Sequence, residues 1–282
     1  MKIDNHISNR KTAHWRLIIN SPGEGSWNMA VDEAILEFVA KKEKLPTLRL
    51  YSWNPYCLSL GHAQPIADVN LQALKAYGWG MVRRPTGGKA ILHADELTYS
   101  VIAPVDEPRV SGTVMESYQR LSRALLTALK ILGIQADSKP KESANRKIPT
   151  NPICFESPSD YEITSNGKKI IGSAQARRLR GVLQHGSIPL FGEIERIAKV
   201  LNYTSLADQK EAEKNLRLKA GTLKDIINET KTWQEISEVI IKGFSEELNI
   251  FFIQDSLSSG ETIRAKELVQ TKFGLDEWTF RI

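Results

Sequence analysis

The chain has 282 residues, 41% of them hydrophobic and 25% charged, with a formal net charge of +5, enough for one large core or a core plus a small appended domain. No apolar run approaches the ~20 residues of a membrane helix, the polar start MKIDNHISNRKTAHW has no signal-peptide core, and no zinc-finger spacing, RNP motif or basic block points to nucleic acid. These features predict a cytoplasmic protein with neither membrane nor nucleic-acid partners, whose mild positive charge suits an acidic protein or a negatively charged substrate.

Residues 1–13 read as a loose arm. WRLIIN predicts a strand, broken by SPGEGS, where Ser26 offers an N-cap for the helix WNMAVDEAILEFVAKK. Met29, Ala30, Ala34, Ile35 and Phe38 fall near one face of that helix. LPTLRLYSW predicts a second strand and CLSLGHAQ a third. Asp68 is placed to cap a short helix that runs through Leu74 and stops at Gly78. The stretch MVRRPTGGKAILHADELTYSVIAP then carries two strand-like runs, KAILH and LTYSVIA, after a bare-backbone turn at Gly87-Gly88. The N–H groups of such a turn, beside Arg83 and Arg84, suit an anionic or carbonyl-bearing ligand. A glycine hairpin turn flanked by solvated arginines explains the same residues.

Met115 to Gly133 predicts an amphipathic helix. A polar, proline-bearing loop, SKPKESANRKIPTNP, then delivers Cys154. EIERIAKVLN reads as a helix, Asp208 to Lys219 as a charged loop, and Trp233 to Leu248 and Glu261 to Phe273 as two further helices. Strands and helices interleave up to about residue 200, and helices dominate afterwards. The pattern predicts an α+β (mixed α/β) catalytic domain over residues 14–205 with a small helical C-terminal extension over 206–282.

The centre of the chain is Asn151 to Leu190. Asn166-Gly167 lies between YEIT and KKIIGSAQAR and accepts the positive φ angles of a type I′ turn, so a β-hairpin is expected. A second break at Arg180-Gly181 makes a three-stranded meander with VLQHGSIPL. Cys154, Lys169 and the small residues Gly172, Ser173 and Ala174 thereby become neighbours. A thiol, an amine and a groove are the parts of an acyl-transfer site, since a thiolate exchanges readily with a thioester and needs a nearby cation. Lys169 can supply that charge and move a proton. A buried structural thiol explains Cys154 as well, and the same reading is preferred for Cys57 in YCLSL. Lys168 and Lys169 point to opposite faces of a strand, and alternation does not say which enters the site. His93 and His185 each suit a pocket wall or a core.

RRPTGGKAILHADELTYSV resembles the RR-x-[ST]-GG-[RG]-A-V-x-H-x-x-E-x-x-Y-S signature of the biotin/lipoate protein ligase-like superfamily. SDYEITSNGKKIIGSAQ is similar to its D-x-x-x-x-G-K-K-[IL]-x-G-S-A-Q segment, and the helix carrying Asn28-Met29-Ala30 and Asp32-Glu33 also looks like that family. The matches span roughly residues 15–200 in the right order. NPICFESPSDYEI most resembles the superfamily's octanoyltransferases. The resemblance implies a biotin/lipoate ligase-like catalytic domain that moves an octanoyl group from acyl carrier protein to a lysine of a lipoyl-accepting protein, the glycine cleavage H protein or a lipoyl domain. No ATP, other cofactor or metal is implied. It further implies that Cys154 carries the acyl group and that Lys169 is the family's catalytic lysine. Arg84, Gly87, Gly88 and His93 would line the acyl pocket, and a loop Ser173-Ala174-Gln175 would lie near the thioester carbonyl. Lys89 stands where the pattern has Arg, keeping the charge without the bidentate fork. An ATP-dependent lipoate–protein ligase, an amidotransferase working between lipoyl domains, and a non-catalytic acyl or carrier-binding module are the alternatives.

Overall fold

The computed structural model describes residues 11–138 and 162–282. In chain order, β1 (Ala13–Ile19), α1 (Gly25–Ala40), β2 (Thr47–Tyr51), β3 (Cys57–Leu60), α2 (Leu71–Ala76), β4 (Gly80–Arg83), β5 (Ile91–His93), β6 (Glu96–Pro104) and α3 (Val114–Ile131) lead to β7 (Asp137–Ser138). Beyond residue 161 come β8 (Ile163–Ser165), β9 (Lys168–Arg178), β10 (Gly181–Pro189), α4 (Leu206–Lys219), α5 (Leu223–Ile227), α6 (Trp233–Leu248), β11 (Ile250–Asp255), α7 (Ser259–Leu268) and α8 (Asp276–Thr279).

Strand β6 explains the layering, because all nine of its residues are buried. Successive side chains on a strand face opposite ways. Leu97, Tyr99, Val101 and Ala103 pack with Leu121 and Leu125 of α3 and Ile240 and Phe244 of α6. Ile102, from the other face, packs with Met29 and Ile35 of α1 and Ala265 of α7. A sheet covered on both faces reads as a nearly continuous apolar run, which is how LTYSVIA looks in the sequence. At about 1.5–3 kcal/mol for each fully buried aliphatic side chain, these two layers supply most of the drive to fold. The main sheet has eight strands in the order β11-β1-β2-β6-β10-β9-β8-β7. Its β11–β1 and β1–β2 pairs are parallel, and β2–β6, β6–β10 and β10–β9 are antiparallel. A separate sheet, β4-β3-β5, stands beside it.

The expected meander is present. Asn166 and Gly167 have φ of 50° and 77°, the signs of a type I′ turn, and Ser165 pairs with Lys168 across it. The second turn falls one residue earlier than expected, with Leu179 and Arg180 both left-handed at φ 54° and 61°.

Several expectations are corrected. Helix α1 starts after Glu24, which makes no side-chain cap, so Ser26 lies inside the helix. The cap of α2 is Asn70, whose side chain accepts from the Ala73 N–H, and Asp68 lies in a separate 3-10 turn. EIERIAKVLN forms a 3-10 helix over Ile194–Val200. The charged stretch Asp208 to Lys219 is helical: Ser205 caps α4, and Ala212 and Leu216, four residues apart, bury its one apolar stripe. Residues 206–282 are not wholly helical, since β11 joins the main sheet beside β1. The short run IFFI, of β-branched and aromatic residues, was the signal for it.

Candidate active site

Register on β9 and β10 builds the site. Gly172 lies opposite Ser187, Ser173 opposite Gly186, and Ala174 opposite His185. A narrow, mostly enclosed cavity of about 20 Å³ lies against this pair and is completed by Met29, Tyr51, Trp53, Ser59, Arg84 and His93 among others. Gly186 is required there by close approach. A Cβ on it would lie 2.5 Å from Tyr99 Cε1, 2.7 Å from Ser173 Oγ and 2.8 Å from the Gly172 carbonyl oxygen. The Ser173 to Gln175 segment, expected as a loop, is part of β9.

The polar groups of the cavity wall are bound to one another. A left-handed corner at Asp95 (φ 50°) between β5 and β6 turns His93 and Glu96 together. His93 Nδ1 lies 3.0 Å from Glu96 Oε1, and Nε2 lies 2.8 Å from Ser59 Oγ. With the carboxylate at Nδ1, the ring carries its proton there and Nε2 accepts from the serine hydroxyl. The indole of Trp53 stacks on the same ring at 4.0 Å and 16°. Glu96 also accepts from the hydroxyls of Thr98 and Ser187. Ser59 in turn accepts from Arg84 Nη1 at 3.1 Å. Arg84 also donates to the carbonyls of Gly87 at 3.0 Å and Lys89 at 2.6 Å.

A second set starts from Asp32 on α1. Its carboxylate accepts from Arg49 (2.7 Å), Ser100 (2.9 Å) and Tyr51 (3.0 Å), all within the core. His185 Nδ1 stands 3.6 Å from Asp32, an electrostatic contact longer than a hydrogen bond, while Nε2 meets Thr86 Oγ1 at 2.7 Å. Burial pushes the Asp32 carboxyl up, but the Arg49 charge, helped by the nearby His185 ring, holds it below its ordinary value. Burial pushes His185 down, against the pull of Asp32, and leaves it neutral at pH 7.

Across the Arg84–Lys89 turn the surroundings change. Gly87 and Gly88, expected on the acyl-pocket wall, line instead an open groove with His62, Pro85, Lys89, Gln175 and Ala176. Both glycines are exposed, and Gly88 has φ 93°. Pro85 and the pair of glycines turn the backbone outward, so the cavity keeps Arg84 while the groove takes the bare peptide groups.

Lys169 is the buried member of its pair, 2% exposed. Its ammonium lies 2.8 Å from Glu162. It does not line the cavity. It sits three residues before Gly172, ~10 Å along the strand. Cys57 is fully buried, and burial, then the Glu96 charge, push its thiol far up. Cys154 lies outside the described residues. Among the described residues no group of three or more His, Cys, Asp and Glu side chains could hold a metal ion, and no helix is long and apolar enough to cross a membrane.

Sequence reading assigned no role to Arg49 or Ser59, and Asp32, Thr86 and Glu96 entered it only as positions of the quoted motifs, Thr86 as the [ST] before Gly87-Gly88 and Glu96 as the acid of H-x-x-E after His93. All but Glu96 meet their partners across long sequence separations.

Residues 24–245 match the model of the lipoyl protein ligase A/B catalytic domain. An octanoyltransferase LipM from Carboxydothermus hydrogenoformans is 39% identical over 269 residues, covering 95% of this chain and 98% of that one. The Bacillus subtilis octanoyltransferase LipM is 36% identical, with the same two coverages. Among solved structures, a bipartite lipoate protein ligase from Thermoplasma acidophilum, studied with its E2 lipoyl domain, superposes with a TM-score of 0.81 at 25% identity over 95% of this chain and 96% of its own. A lipoate-protein ligase A bound with ATP gives 0.77 at 26% identity, over 95% and 98%. The mixed α/β fold is therefore that of the lipoate protein ligases, and the chain belongs to the lipoyl protein ligase A/B catalytic-domain family and, within it, to the octanoyltransferase LipM family.

Proposed function

We propose that the protein moves an octanoyl group from acyl carrier protein to a lysine of a lipoyl-accepting protein, the glycine cleavage H protein or a lipoyl domain, through a thioester on Cys154 and without ATP. The observation that carries this reading is the full-length similarity to octanoyltransferases, 39% over 95% of the chain. The site chemistry supports it. With the hydroxyls and rings of the wall bound to each other, the cavity has a largely apolar lining, and an acyl chain enters it by widening it. Each CH₂ that it buries contributes ~0.8 kcal/mol.

In the proposed cycle the Cys154 thiolate attacks the donor thioester carbonyl. The C–S bond to the carrier breaks, and the carrier thiolate leaves and takes up a proton. The neutral acceptor amine then attacks the enzyme thioester, an amide forms, and Cys154 is released. Lys169 is the proposed source of the cation that favours the thiolate and of the proton transfers. Arg84, His93, Gly172, Ser173 and Ala174 hold the acyl chain, and Gly87 and Gly88 meet the carbonyl end. Backbone N–H groups at a developing oxyanion stabilise the tetrahedral intermediate.

The likeness to a ligase bound with ATP motivates one rival, activation of free octanoate as an acyl-adenylate. Incubation of octanoyl carrier protein and an acceptor domain without ATP, followed by intact mass of the acceptor, separates the two. Octanoyl amide on the acceptor supports transfer. Product that requires ATP and free octanoate sinks it. Product only from an octanoylated H-protein donor identifies an amidotransferase.

A further inference from the structure

The Arg84–Lys89 turn is gripped from the cavity side at two points. Arg84 reaches the carbonyls of Gly87 and Lys89 and is itself held through Ser59, His93 and Glu96. Thr86 is held by His185, which faces Asp32. Both histidines belong to the cavity wall, whereas Gly87 and Gly88 belong to the groove. Thr86 itself is fully buried, so its hydroxyl serves no solvent contact. Its carbonyl also accepts from the His62 N–H at 2.8 Å, tying the turn to the far lip of the groove. Neither Gly87 nor Gly88 donates its N–H to another group among the described residues.

We infer that Thr86 is a positioning residue for acyl transfer: its hydrogen bond to His185 fixes the turn in the shape in which the Gly87 and Gly88 N–H groups receive the carbonyl oxygen of the reacting thioester. The identity of the ligand rests on the transferase reading above, and the grip on geometry alone. With Nδ1–H toward Asp32, His185 Nε2 has a lone pair for the Thr86 hydroxyl. An apolar side chain of the same shape at position 86 leaves that nitrogen buried without the Thr86 donor, and the cavity side then grips the turn through Arg84 alone, with the His62 N–H still on the Thr86 carbonyl. A donor that moves away from the oxyanion acts on the transition state more than on ground-state binding, so the loss appears in kcat.

The test compares Thr86→Val, which keeps the shape, with Thr86→Ser, which keeps the hydroxyl. Octanoyl transfer is measured at varied donor concentration, and hydrogen exchange is followed in the peptide covering residues 81–92. Thr86→Val is expected to lower kcat about 10- to 100-fold with KM within about twofold, and to raise deuterium uptake in that peptide. Thr86→Ser is expected to restore most of both. Equal impairment of the two variants, a change in KM alone, or unchanged kcat in Thr86→Val overturns the inference. If the wild type itself transfers nothing without ATP, the transferase reading fails. The grip is then judged by exchange, where equal uptake in wild type and Thr86→Val overturns it.

Discussion

The two sides of the Arg84–Lys89 turn are built by opposite rules. On the cavity side, Glu96, His93, Ser59, Asp32 and His185 are buried and spend their hydrogen-bonding capacity on other protein groups, so a polar wall offers an apolar interior. On the groove side, Gly87, Gly88 and Lys89 offer peptide groups and charge outward. A site that must hold an aliphatic tail and also stabilise a charged carbonyl intermediate needs both, a few ångströms apart. The lesson is that polar residues in a pocket wall need not mean a polar ligand, because their partners decide what the ligand meets.

Substitutions that strike only one side sharpen the contrast. The largest effect is expected at the residue that lines neither. Lys169→Met removes the ammonium but keeps the stem, and transfer should fall by about 10²–10⁴-fold, read as kcat. On the cavity side, Arg49→Met leaves the Asp32 carboxylate buried without its cation and should cost about 3–5 kcal/mol of stability, measured by denaturant unfolding. Gly186→Ala, where the new methyl meets Tyr99 and Ser173, should cost about 1–3 kcal/mol by overpacking and weaken acyl binding with it. On the groove side, Lys89→Ala should leave stability within about 0.5 kcal/mol while slowing encounter with an acidic donor, seen as a KM that rises and loses part of its salt dependence. A Lys89 variant that unfolds the protein, or an Arg49 variant that does not, would erase the distinction.

Acid separates the sides with the smallest effect. His185 is pushed below its ordinary value in the fold. Between that lowered value and the unfolded value of ~6.5 the unfolded chain binds more protons. Its contribution is thus fully present above about pH 6.5 and is lost as pH falls through the folded pKa. The melting temperature should decline below that pH in the wild type, and the decline should flatten in His185→Asn.

Local signals made the frame legible. Asn166-Gly167 announced its turn through φ preference, the alternation around it gave the meander, and Trp233 to Leu248 has the 3.6-residue period that the helix keeps from end to end. Where polarity was read as a loop the sequence misled: α4 is mostly solvated on one face, yet Leu, Lys, Glu and Ala propagate a helix well. The tail strand β11 was missed because the apolar residues of IFFIQD follow directly on α6. The site was legible where a motif is contiguous, as in Arg84 to His93. It was illegible where chemistry depends on distant pairings. Nothing local tells that Asp32 will meet His185 or that Thr86 will bond it across 99 residues. That Gly87 and Gly88 face the groove while Arg84 faces the cavity was equally out of reach, since it depends on how the turn leaves β4.

The central claim, a covalent acyl-enzyme, is tested most directly by intact mass of the protein after mixing with octanoyl carrier protein in the absence of ATP, beside Cys154→Ser. The account predicts one added octanoyl group that hydroxylamine removes, absent from the variant, with Cys57 unmodified because burial keeps its thiol protonated. No adduct on the wild type under conditions in which the acceptor becomes octanoylated, or an adduct that persists in Cys154→Ser, would contradict it.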